Sequence, residues 1–138
     1  MDKKETDGAI LLYVKDLSIR FLDETEDKNA VCHADFYIKK GETAAIIGES
    51  GAGKTTLMRV CMGLSGKKAE VEGQALLNCG KEGFLDICSM TRKDRIRKIF
   101  GKKIAMVFQD PSVCLDPVMT IGSQLLESLC LKKRTGRM

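Results

Sequence analysis

Residues 48 to 55 read Gly48-Glu49-Ser50-Gly51-Ala52-Gly53-Lys54-Thr55, which satisfies G-x-x-x-x-G-K-[ST] at every fixed position. The run Thr43-Ala44-Ala45-Ile46-Ile47 before it has the length of a buried strand, and Thr56 to Met62 behind it read as a helix. Glycines let a backbone wrap a polyphosphate, so that successive amide N–H groups and a helix N-terminus point at negative charge. In this pattern Lys54 reaches the β- and γ-phosphates, and the Thr55 hydroxyl joins a Mg²⁺ shell. A strand, a glycine loop and a helix in this order predict an α/β core. They mark a chain that binds a nucleoside triphosphate or descends from one that did.

The rest of the composition narrows the setting. With 138 residues, 43% of them hydrophobic, the chain fits one soluble domain with a real core. No apolar stretch nears the roughly 20 residues of a membrane span. The apolar run Ala9 to Val14 is too short for a secretory segment, so a cytoplasmic location is expected. Six cysteines show no C-x-x-C pair, and the only histidine, His33, adjoins Cys32 alone. Reduced, mostly buried thiols are expected, and the spacing does not suit zinc. The net charge of +4 is spread over clusters such as Arg92-Lys93 and Lys132-Lys133-Arg134, which read as solvated helix faces and ends. Only 5% of residues are aromatic, too few for a base-stacking surface, so no nucleic-acid partner is expected.

Along the chain, residues 1 to 8 are polar and expected to fray. A strand is predicted from Leu12 to Phe21, with Leu17, Ile19 and Phe21 on one face. A polar loop, 23–29, leads to a second strand from Ala30 to Ile38, with Ala34, Phe36 and Ile38 on one face. The helix after the phosphate loop is predicted to stop at Gly63 or Gly66. A short strand near Gln74 to Leu77 and a glycine-bearing loop through Gly80 and Gly83 follow. Thr91 is placed to cap a charged helix running to about Phe100, with Asp94 in its first turn. Ile104-Ala105-Met106-Val107-Phe108 reads as a second buried parallel strand. It is followed by Gln109-Asp110-Pro111, where proline ends regular structure. Thr120 is placed to cap a last helix carrying Ile121, Leu125 and Leu129.

The phosphate loop alone fits a kinase, a GTPase or a transport ATPase. The second motif separates them. Met106-Val107-Phe108-Gln109-Asp110-Pro111, followed by Leu115-Asp116-Pro117-Val118-Met119-Thr120-Ile121-Gly122, resembles the Q-loop region of ATP-binding cassette (ABC) proteins. The Asp-Pro-Val-Met-Thr-Ile-Gly run, and Gly48-Glu49-Ser50-Gly51 with Glu49 after the first glycine, are similar to the dipeptide/oligopeptide/nickel importer branch. The resemblance covers Leu12 to about Leu129. It implies an α/β fold: a P-loop NTPase core with the N-terminal antiparallel β-subdomain of an ABC nucleotide-binding domain, ending early in the helical subdomain.

The resemblance also implies ATP and Mg²⁺ as ligands, held by the loop from Gly48 through Glu49, Ser50, Gly51, Ala52 and Gly53 to Lys54, Thr55 and Thr56. Phe21 falls where the family places an aromatic that stacks on adenine; a plain core phenylalanine is the other reading. Gln109 would reach Mg²⁺ and the attacking water and couple the site to a membrane partner, and Thr56 would add a hydroxyl near the α- or β-phosphate. Asp116 lies where the family commonly has asparagine and reads as loop structure or a partner-facing residue. The implied partners are integral membrane permease subunits, met near the Q-loop, and a second ABC ATP-binding subunit. The implied location is the inner face of the cell membrane, and the implied role is to energise import of peptides or nickel.

The sequence also departs from the family pattern. After Gln109 there is no Leu-Ser-Gly-Gly-type signature, no strand ending in Asp-Glu and no late histidine. An ABC-type transport ATPase is therefore implied by residues that themselves supply neither the catalytic carboxylate nor the signature motif. The alternative reading is a non-catalytic nucleotide-binding fragment, or a decayed, truncated gene product. Parallel P-loop sheets bury both faces, so a sheet missing its later strands is expected to leave an unpaired edge beside Ile46-Ile47 or Ile104 to Val107.

Overall fold

A computed structural model of the chain describes residues 10–22, 28–66, 68–110 and 114–135. The expected fraying of residues 1 to 8, most of the 23–29 loop and the proline stop at Pro111 lie outside those residues. The chain divides into two compact units, Met1–Ile104 and Ala105–Met138.

The first unit is built on an antiparallel sheet. Its strands are β1 (Ile10–Phe21), β2 (Lys28–Lys39), β3 (Ala69–Asn78) and β4 (Phe84–Asp86), in the order β2-β1-β3-β4. Strand β1 is central and supplies Leu12, Val14, Leu17 and Ile19 to the core. The first two occupy even positions and the last two odd ones, which a regular strand would send to opposite faces. Asp16, at φ 48°, resolves this: a bulge inserts one residue and restores the inward face. His33, also at φ 48°, does the same on β2, between Val31 and the predicted inward set Ala34, Phe36 and Ile38. The two bulges are pinned to each other. His33 N–H donates to Ser18 Oγ at 3.0 Å, Asp16 N–H donates to Asp35 Oδ1 at 3.1 Å, and His33 Nδ1 lies 2.6 Å from Asp16 Oδ1. That last contact holds the imidazole pKa above its ordinary value.

Strand β3 is longer than its apolar stretch predicts, because it pairs with β1 from Phe21↔Ala69 to Leu12↔Leu77. Gly73, at φ 90°, permits this pairing past the bulge: a Cβ there would stand 2.2 Å from the Asp16 carbonyl oxygen. Helix α1 (Lys54–Cys61) places Leu57, Val60 and Cys61 against the sheet. Each fully buried aliphatic side chain here contributes about 1.5–3 kcal/mol. Gly63 ends the helix as predicted, its N–H bonding Val60 O and the Leu64 N–H bonding Arg59 O, each at 2.8 Å. Helix α2 (Arg92–Lys98) starts where predicted, with Thr91 Oγ1 accepting from the Asp94 N–H. A cluster of twelve buried residues, from Leu12 to Ile99, forms the core of this unit.

Two sequence expectations fail. Thr43 to Ile47 form no strand, and Ile47 is 92% exposed. Ile104 makes a single parallel bridge to Phe100, while residues 105–108 are irregular and Val107 is 90% exposed. A central parallel strand is held by neighbours on both edges and cover on both faces. Among the described residues no strand lies beside either run. The expected unpaired edge therefore takes a stronger form: the two runs themselves stay outside the sheet.

In the second unit, irregular chain carrying Gln109 precedes helix α3 (Ile121–Thr135). Thr120 caps α3, accepting from the Ser123 N–H at 3.3 Å. Asp116 behaves as a loop builder. Its Oδ1 accepts from the Val118 N–H at 3.0 Å, and its backbone exchanges two hydrogen bonds with the Gln124 side chain. Ile121, Leu125 and Leu129 are all exposed.

The thiols divide rather than being mostly buried. Cys61 and Cys79 are buried, Cys88 is half-buried, and Cys32 and Cys114 are exposed; all five are free. Burial pushes the Cys61 thiol up to about 12 and the Cys88 thiol up to about 11. The thiolate is the reactive form. Maleimide labelling of the native chain at pH 8 is therefore expected to modify Cys32 and Cys114 and spare Cys61 and Cys88 until denaturant is added. Peptide mapping of labelled protein checks this, and native labelling of Cys61 at the rate of Cys32 would contradict the packing of α1.

Candidate functional site: the phosphate loop and its cleft

The loop from Gly48 to Gly53 turns the chain into α1 through two left-handed glycines, Gly51 at φ 83° and Gly53 at φ 78°. Gly53 occupies the N-cap position of α1, and no side chain caps the helix there. The first helical bond runs from the Leu57 N–H to Gly53 O at 2.8 Å. The N–H groups of the first turn, from Lys54 to Thr56, thus lack a partner within the helix and a cap from a side chain. Gly53 also packs directly on β2, where a Cβ would stand 2.1 Å from Ala30 O. Only glycine allows both the left-handed turn and this approach.

Lys54 is half-buried and folds back over the loop, its Nζ donating to Gly48 O at 2.7 Å and to Glu49 O. The loop is braced internally by the Ala52 N–H donating to Glu49 O at 3.2 Å. Thr55 is exposed, and Thr56 is half-buried behind it.

Because Gly53 sits on Ala30, the loop faces the end of β1 and the start of β2. Between them lies a cleft of about 300 Å³, lined by Phe21, Lys28, Asn29 and Ala30 and by Gly51, Ala52, Gly53, Lys54, Thr55 and Thr56. The donor set fits a polyphosphate: uncapped helix amides and a lysine on one wall, with a half-buried aromatic ring on the other. Seven predicted site residues are brought together here. Gly48, Glu49 and Ser50 form the entry limb of the loop and do not line the cleft. Gln109 belongs to the second unit, exposed in irregular chain. Sequence reasoning missed Lys28 and Asn29, which it assigned to a polar loop. They are the first residues of β2, paired with Phe21 and Arg20, and nothing in their own polarity signals it.

Comparison with known proteins adds to this geometry. The family model described as ABC transporter matches residues 31–137. The chain belongs to this family. It is 40% identical to the dipeptide transport ATP-binding protein DppD of Lactococcus lactis subsp. cremoris over 126 residues, 91% of this chain and 34% of that one. It is 37% identical to the oligopeptide transport ATP-binding protein OppD of Escherichia coli over 127 residues, 92% of this chain and 36% of the relative. It is 39% identical to the oligopeptide transport ATP-binding protein AppD of Bacillus subtilis, over 94% of this chain and 39% of that one. The chain thus spans a little over a third of the length of these curated relatives. Among the described residues, no helix is long and apolar enough to cross a membrane.

Proposed function

We propose that this chain is the part of an ABC ATP-binding domain that carries the phosphate loop and the Q-loop, and that it binds ATP with Mg²⁺ in the cleft between α1 and the β1–β2 end. The observation that carries the reading is the uncapped, glycine-built N-terminus of α1, with Lys54 beside it, facing a cleft whose other wall includes Phe21.

In this reading the amides of the loop and of the first turn of α1 orient the phosphates. Lys54 exchanges its two carbonyl contacts for the β- and γ-phosphates. The Thr55 hydroxyl, exposed at the helix start, would hold Mg²⁺, and Thr56 would add a hydroxyl toward the α- or β-phosphate. By its family resemblance, Gln109 would serve the metal, the attacking water and the membrane partner in a complete domain. Bound ATP and Mg²⁺ supply the transferable phosphoryl group and the neutralisation of its charge. The signature motif and the Asp-Glu strand end needed for hydrolysis are not among these 138 residues, so turnover belongs to a fuller domain paired with a second ATP-binding subunit. The whole protein, held at the inner membrane face by permease subunits, would energise peptide import. The names of its relatives, dipeptide and oligopeptide transport proteins, favour peptides over nickel as cargo.

Phe21 provides the test. If it stacks on adenine, Phe21→Ala is expected to weaken ATP binding by about 1–3 kcal/mol and leave inorganic triphosphate unaffected. Competition of both ligands against a fluorescent nucleotide measures this. Equal losses for the two would make Phe21 a packing residue instead.

A further inference from the structure

The wall opposite the phosphate loop contains a cation that the phosphate-loop motif does not account for. Phe21, the last residue of β1, and Lys28, the first of β2, are direct cross-strand partners. Such pairs present their side chains on the same face, with Cβ atoms about 4.5–5.5 Å apart. Both line the cleft that holds the loop from Gly51 to Thr56. The neighbouring cation, Arg20, is directed elsewhere: it is tied to Glu70 at 2.6 Å and does not line this cleft. The Phe21 ring itself is half-buried.

From this juxtaposition we infer that Lys28 contacts the edge of the nucleobase stacked on Phe21 and sets base recognition at this site. The inference rests on the phosphate-loop reading above. A lysine ammonium offers three donors and no acceptor. The ring nitrogens and carbonyl oxygens of a base edge are acceptors that match the ammonium. In the phosphate-loop reading the phosphates go to Lys54 and the helix amides on the other wall, so Lys28 acts on the base half of the ligand.

The experiment uses the 138-residue chain and competes ATP and inorganic triphosphate separately against a fluorescent nucleotide. Lys28 is exposed, so Lys28→Gln leaves the core intact, and circular dichroism of the variant confirms it. Lys28→Gln is expected to weaken ATP by about 3- to 10-fold and leave triphosphate unchanged, with Lys28→Arg restoring most of the loss. Equal weakening of both ligands would reduce Lys28 to a diffuse charge and overturn the inference, as would unchanged ATP affinity. Lys54→Ala separates the two levels of the argument. If the wild-type chain binds neither ligand, or if Lys54→Ala leaves binding intact, the phosphate-loop reading fails and this inference fails with it. If Lys54→Ala abolishes binding while Lys28→Gln changes nothing, this inference alone fails.

Discussion

Lys54→Ala is expected to remove nearly all nucleotide affinity. The ammonium is the one cation of the phosphate loop, and truncating one side of a charge-paired contact costs about 2–5 kcal/mol, roughly 30- to several-thousand-fold. In the free chain Nζ bridges Gly48 O and Glu49 O, contacts it gives up to reach the phosphates, so the loss comes from the phosphate contacts themselves. Lys54→Arg is expected to fail as well, since a planar fork does not replace a compact point charge inside so tight a turn. Titration of a fluorescent nucleotide decides the matter, and a Lys54→Ala variant with wild-type affinity would remove the assignment. Salt provides an internal check. A screened surface attraction would fade steeply as ionic strength rises, whereas a contact enclosed by the loop would persist.

Gly73→Ala is expected to be the most damaging single-methyl change in the sheet. Its φ of 90° already carries strain of about 1–3 kcal/mol for any residue with a side chain. The new Cβ would also stand 2.2 Å from Asp16 O and 2.8 Å from Leu17 Cα, so the backbone of β1 would have to move. That displacement strikes the bulge that turns Leu17 and Ile19 inward. Gly41→Ala provides the matched control, with a similar φ of 79° and nothing within 4 Å of the added methyl. Urea unfolding of both variants separates strain from collision. Gly73→Ala should lower the midpoint well beyond Gly41→Ala; equal midpoints would mean that β3 does not press on the bulge. Because the same sheet positions Phe21 and Lys28, Gly73→Ala should also weaken nucleotide binding without touching the cleft.

The sequence by itself determined the parts whose physics is local. The phosphate loop, the glycine stop at Gly63, the Thr91 and Thr120 caps and the inward set Ala34, Phe36 and Ile38 each depend on residues within a turn or two of one another. All of them stand where the chain order puts them. The family, too, was legible in two short motifs. Only the tertiary structure decided what depends on partners distant in sequence. The bulges at Asp16 and His33 exist because three strands must keep a common inner face, and β3 runs its full length because β1 offers it pairing. Ile46-Ile47 and Ile104 to Val107 have the composition of buried strands, yet a parallel strand without neighbours has nothing to hold its backbone groups: beyond the single bridge at Ile104 both runs are irregular, with Ile47 and Val107 exposed. Lys28 reaches the cleft for the same kind of reason. Its position is fixed by pairing with Phe21 and by the approach of Gly53 to Ala30, long-range contacts that its own neighbourhood in the chain does not encode.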